Sequence, residues 1–141
     1  MKRILIINGP NLNMLGLREP EIYGRESYED LVKYISDYCE DKALPEFYQS
    51  NHEGSIIDEI QKARGVFDGI ILNAGGYTHT SVAIADAVSA AGVPTVEVHI
   101  SDIKKRESFR RHSYLTAVCK STIMGHGFKG YAMAVDFLTH M

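Results

Sequence analysis

The residues best suited to acid–base work in this 141-residue chain lie in short polar segments, each placed after an apolar run. The first is Asn8-Gly9-Pro10-Asn11-Leu12-Asn13-Met14-Leu15-Gly16, which continues to Arg18 and Tyr23-Gly24. A tyrosine titrates at about 10, so holding its anion at neutral pH costs about 3 units, or about 4 kcal/mol. A guanidinium at about 4 Å contributes about 4 kcal/mol at an effective dielectric of about 20, and desolvation of the phenolate opposes it. Arg18 and Tyr23 therefore form a candidate activated base, on a loop able to close over a ligand and exclude water. Taken alone, the segment also fits an ordinary turn, because asparagine tolerates turn backbone angles.

The second segment is Asn73-Ala74-Gly75-Gly76-Tyr77-Thr78-His79. Its glycines allow close backbone approach to a ligand, and Asn73 and His79 offer donors and acceptors. A helix-entry loop with a satisfied histidine explains it equally well by itself. The third is Glu97-Val98-His99-Ile100-Ser101. Strand alternation places Glu97, His99 and Ser101 on one face. A carboxylate beside a histidine raises its basicity and fixes its orientation, which suits a general acid. The amides of Ile100 and Ser101, with Arg110 further on, could receive an anion. A buried Glu-His pair is also compatible with a purely structural role.

Together the segments describe one site, with a base, an acid and hydroxyl-recognising side chains at different strand ends. No GxGxxG, GxxxxGK[ST] or GxSxG pattern occurs, which removes the nucleotide-binding and serine-nucleophile signatures. The histidines do not fall at metal-ligand spacings, so neither a metal nor a cofactor is expected.

Positioning these segments requires alternating strands and helices. Arg3–Asn8, Phe47–Ser50, Asp68–Asn73 and Thr95–Ile100 are apolar, strand-like runs, and residues 117–124 are a candidate fifth. Residues 27–43, with Ser27 and Asp30 as a start signal, 54–64, 81–91 ended by Gly92, and 131–138 carry helical spacing. Such alternation predicts an α/β fold, a flavodoxin-like three-layer sandwich with a five-stranded parallel sheet. Ligands of such sheets bind beyond the carboxyl ends of the strands, where all three polar segments fall. His52 and Glu53 have no chemical assignment beyond helix capping.

The length fits a single domain over 1–141. A net charge of −3 argues against nucleic-acid or anionic-membrane partners. Ile4-Leu5-Ile6-Ile7 is too short for a signal-peptide core, no run reaches membrane-spanning length, and Cys39 and Cys119 are expected to be reduced. The expected location is cytoplasmic. A flavodoxin-like binding or signalling module is the rival from another class. However, the first loop carries amides and an arginine instead of clustered acids or a phosphate cradle.

These stretches, joined by Ser50-Asn51-His52-Glu53-Gly54 and Phe109-Arg110-Arg111-His112-Ser113-Tyr114, make the chain resemble the type II dehydroquinase family nearly end to end. The resemblance implies conversion of 3-dehydroquinate to 3-dehydroshikimate and water, with no metal and no imine-forming lysine. It implies that Tyr23 removes the proton alpha to the ketone, that Arg18 lowers the pKa of that tyrosine, and that Asn11 holds a water on an enolate-like intermediate. It further implies that His99, polarised by Glu97, protonates the leaving hydroxyl. Asn73, His79 and Arg110 match residues that hold substrate hydroxyls, while Ile100 and Ser101 match the carboxylate site. Asp86 matches a residue reaching a neighbouring subunit's site in a homo-oligomer, a dodecamer of four trimers. Arg106 falls near the lid without an assigned role.

Overall fold

The computed structural model describes residues 1–17, 21 and 25–141. Its five strands are β1 (Lys2–Asn8), β2 (Ala43–Gln49), β3 (Gly69–Asn73), β4 (Thr95–His99) and β5 (Ser121–Met124). They form one parallel sheet in the order β2-β1-β3-β4-β5, the flavodoxin-like arrangement. Among the described residues, four helices cover it: α1 (Tyr28–Cys39), α2 (Glu53–Ala63), α3 (Val82–Ala91) and α4 (Lys129–Thr139).

The three layers follow from strand alternation. In β1, Ile4 and Ile6 face a core closed by Leu31 and Ile35 of α1 and by Tyr131 and Val135 of α4. Leu5 and Ile7 point the other way, against Ile56 and Ile60 of α2 and Ile84 and Val88 of α3. With both faces covered, the middle strands lose polar alternation, and every residue of β3 and β4 is buried.

Local signals fix the helix ends. Ser27 and Asp30 form a reciprocal capping box on α1: the Ser27 hydroxyl accepts from the Asp30 amide at 3.1 Å, and the Asp30 carboxylate accepts from the Ser27 amide at 2.9 Å. Gly92 ends α3 in the left-handed region, at φ 70°. His52 occupies the N-cap of α2 but makes no side-chain cap hydrogen bond, so the capping expected of it is positional only. Glu53 stands in the first turn, where a carboxylate is favoured by the helix dipole.

The structure shifts some boundaries. α1 ends at Cys39, and β2 starts at Ala43, inside the stretch expected to be helical. Ala43 pairs with Lys2, and Pro45 is tolerated because β2 lies at a sheet edge. β5 is confined to Ser121–Met124, because the amides of Val118 and Cys119 both turn back onto the Leu115 carbonyl.

Candidate active site

A cleft of ≈ 160 Å³ opens beyond the carboxyl ends of β1, β3 and β4. A cavity of about 150 Å³ accommodates a benzene-sized ring, so this space suits a single six-membered ring. Asn11, Asn73, His79 and His99 line it, as do Ile100, Ser101 and Arg110. Leu12, Ile103 and Arg106 complete part of its wall.

Two glycines let the loops meet at this point. A Cβ on Gly9 would stand 2.6 Å from the Ala74 carbonyl oxygen, and the Gly9 amide donates to the Asn73 carbonyl at 2.7 Å. Gly75 adopts φ 58° against the Pro10 carbonyl. Asn11 itself is left-handed at φ 70°, a region that asparagine tolerates better than most residues. Its amide donates to Asn51 Oδ1 at 3.0 Å, while Gln49 Nε2 donates to the Gly9 carbonyl at 3.1 Å. The asparagine-rich loop is thus held from β2.

The candidate acid–base pair lies on β4. Glu97 and His99 share a face, and His99 Nε2 stands 2.5 Å from Glu97 Oε2. Glu97 is fully buried. The Ser113 hydroxyl donates to Oε2 at 2.6 Å, and the Thr116 and Thr122 hydroxyls each donate to Oε1 at 2.9 Å. Burial is the largest single influence on this carboxyl and pushes its pKa up. The hydrogen bond and charge of His99, with the Ser113 and Thr116 hydroxyls, together outweigh it and bring the pKa to about 2. An ionised carboxylate only accepts, so Nε2 must carry a hydrogen, leaving Nδ1 as the ring nitrogen available to a ligand.

His79 is set differently. Its Nδ1 donates to the His112 carbonyl at 2.7 Å, because a carbonyl oxygen only accepts. Burial pushes its pKa down, and the charges of His99 and Arg110 add to that. The His112 hydrogen bond and the Glu97 charge offset part of the shift. A neutral ring held this way presents Nε2 as an acceptor for a ligand hydroxyl.

Asn73 has a fixed orientation. Its Nδ2 donates to the Tyr131 hydroxyl at 2.9 Å, and its Oδ1 accepts from the Gly75 amide at 3.2 Å. The Tyr131 hydroxyl donates onward to Asn8 Oδ1 at 2.6 Å. Arg110 has its Nε bonded to Glu107 and its guanidinium over the Phe109 ring, 5.0 Å from the centroid. Its ligand contacts therefore fall to the Nη atoms. Among the described residues, neither the Ile100 nor the Ser101 amide donates a backbone hydrogen bond. Two adjacent N–H groups at a strand end are suited to an anion.

Not every expected residue joins the cleft. Glu97 meets the cleft through His99 and is not itself part of the lining. Asp86 lies on the exposed side of α3. Arg18 and Tyr23 lie outside the described residues. Nothing in their local sequence marks Ser113, Thr116, Thr122, Asn51 or Tyr131 as part of this network. Only Asn51 and Ser113 fall within the stretches that carried the resemblance. Among the described residues, no group of three or more His, Cys, Asp or Glu is placed to hold a metal ion.

The family model for dehydroquinase class II matches residues 2–139. The chain belongs to this family. Among class II dehydroquinases and their relatives, it is 58% identical over 140 residues to a 3-dehydroquinate dehydratase from Fusobacterium nucleatum, covering 96% of this chain and 95% of that one. It is 54% identical over 139 residues to 3-dehydroquinate dehydratase 1 of Corynebacterium efficiens, covering 98% of this chain and 92% of the relative. The crystal structure of a type II dehydroquinase from Butyrivibrio crossotus superposes with a TM-score of 0.95 at 53% identity, covering 97% of both chains. The class II dehydroquinase frame is therefore shared along almost the whole chain.

Proposed function

We propose that this chain is a 3-dehydroquinate dehydratase, converting 3-dehydroquinate to 3-dehydroshikimate and water by anti elimination through an enolate. The observation that carries this reading is His99 on the wall of a ring-sized cleft, held from behind by the buried Glu97. Tyr23, as the phenolate, takes the proton alpha to the ketone, and Arg18 stabilises that anion. Support for these two roles is the family resemblance and the electrostatic balance worked from the sequence. Asn11, held at the cleft by Asn51, carries a water that hydrogen-bonds the enolate oxygen.

His99, carrying a hydrogen on both ring nitrogens for this step, then gives its Nδ1 proton to the departing hydroxyl and returns to the neutral Nε2–H form. The C–O bond breaks, water leaves, and the electrons of the enolate form the conjugated double bond. Glu97 stays ionised throughout and stabilises the positive ring. His79 accepts from a substrate hydroxyl, Asn73 and Arg110 bind the others, and the Ile100 and Ser101 amides, with the Ser101 hydroxyl, receive the carboxylate. The reaction needs neither a metal nor a Schiff base, and no lysine lines the cleft among the described residues.

The chain acts as one catalytic unit over 1–141, in a homo-oligomer of four trimers. Asp86, exposed on α3, is available to a neighbouring subunit's site in that assembly. No helix among the described residues is long and apolar enough to cross a membrane. Free thiols at Cys39 and Cys119 suit the reducing cytoplasm. The test is to mix purified protein with 3-dehydroquinate and follow the absorbance of the conjugated enone. Steady, enzyme-dependent growth of that band is expected, and its absence would overturn the reading.

A further inference from the structure

A carboxylate has about four lone-pair sites, and the Glu97 carboxylate meets four donors, two on each oxygen. Three of them belong to residues that do not line the cleft. Thr122 sits directly across from Glu97 in the β4–β5 register. Ser113 and Thr116 come from the segment that also carries Arg110 and His112, whose carbonyl sets the His79 ring.

We propose that Ser113, Thr116 and Thr122 are positioning residues for the dehydration: their hydroxyls fill the remaining acceptor sites of Glu97, so that the carboxylate holds His99 through Oε2 alone, in one ring tautomer. The inference rests on the function proposed above and adds residues that act through Glu97 without touching substrate. With all four sites filled, the imidazole has no second acceptor to swing toward, and water has no lone pair to enter by. Nδ1 is thereby kept on the cleft side as the nitrogen that exchanges a proton with the leaving group. Removing one hydroxyl opens one site, and the ring gains a competing arrangement.

Thr122→Val is the informative variant, since valine suits a strand as well as threonine does. The tautomer is read from the ring-nitrogen NMR signals of His99 in ligand-free protein, at a pH where the ring is neutral. The wild type should show a single Nε2–H tautomer. In Thr122→Val that signal should become mixed or be lost to exchange. The kcat should fall about tenfold, the scale of one hydrogen bond to a charged group, with KM within about twofold. Thr122→Ser should restore both readouts. Should Thr122→Val not fold, Ser113→Ala carries the same expectation from a different segment. An unchanged tautomer with wild-type kcat, or a serine variant that restores neither, would overturn the proposal. The NMR comparison needs no turnover. A wild type inactive on 3-dehydroquinate would defeat the functional reading and the dehydration role with it, whereas an unchanged tautomer and kcat in Thr122→Val beside an active wild type would defeat this proposal alone.

Discussion

Replacing Glu97 by Gln should expose how strongly the fold depends on a buried negative charge. The carboxyl has no solvent access, and its pKa falls from 4.5 to about 2 in the folded chain. That displacement corresponds to about 3 kcal/mol of folding stability. The folded group holds its proton less tightly than the unfolded one. The stabilisation is therefore complete above about pH 4.5 and is lost as the pH falls toward 2. A glutamine cannot titrate, and it also turns an amide N–H₂ toward hydroxyls that now donate to oxygen. At pH 7 the variant should be less stable by about 3 kcal/mol or more. Urea unfolding of both proteins across this range measures the difference. The stability gap should narrow by about 3 kcal/mol between pH 5 and pH 2, because only the wild type loses the contribution. A gap that stays constant with pH would mean that Glu97 is not held as the anion, and the assignment of Nε2 as donor would fall with it.

Other consequences are simpler to read. Tyr23→Phe should leave the circular dichroism spectrum and unfolding midpoint near those of the wild type while nearly abolishing turnover, because it removes the group proposed to accept the proton; wild-type-like activity would refute that role. Prolonged dialysis against a chelator should leave activity unchanged, and a loss restored by added metal would contradict the metal-free mechanism.

Much of this architecture is legible in local sequence. Ile4-Leu5-Ile6-Ile7 announces a strand buried on both faces, and its residues divide between the two cores. Ser27 and Asp30 announce the start of α1, and Gly92 its counterpart at the end of α3. The common face of Glu97 and His99 follows from strand alternation alone. The start of β2 was hidden because Ala43-Leu44-Pro45 carries weak strand propensity, and only its edge position makes Pro45 acceptable. The donors to Glu97 were hidden for a different reason. Ser113, Thr116 and Thr122 lie 16, 19 and 25 residues away, and what brings them together is the pairing register and the turn at Leu115. Tyr131 stands 123 residues from Asn8, so no periodicity could link it to the wall that carries Asn73. Local pattern specifies faces and ends; contacts between elements depend on register, which only the assembled sheet defines.

The role of His99 is tested most directly by following two signals from His99→Ala with 3-dehydroquinate in heavy water: alpha-proton exchange and enone formation. If the His99 ring, held by Glu97, supplies the proton that releases the hydroxyl, exchange should continue while enone formation is nearly abolished. Enone formation at the wild-type rate would contradict the acid assigned to this cleft.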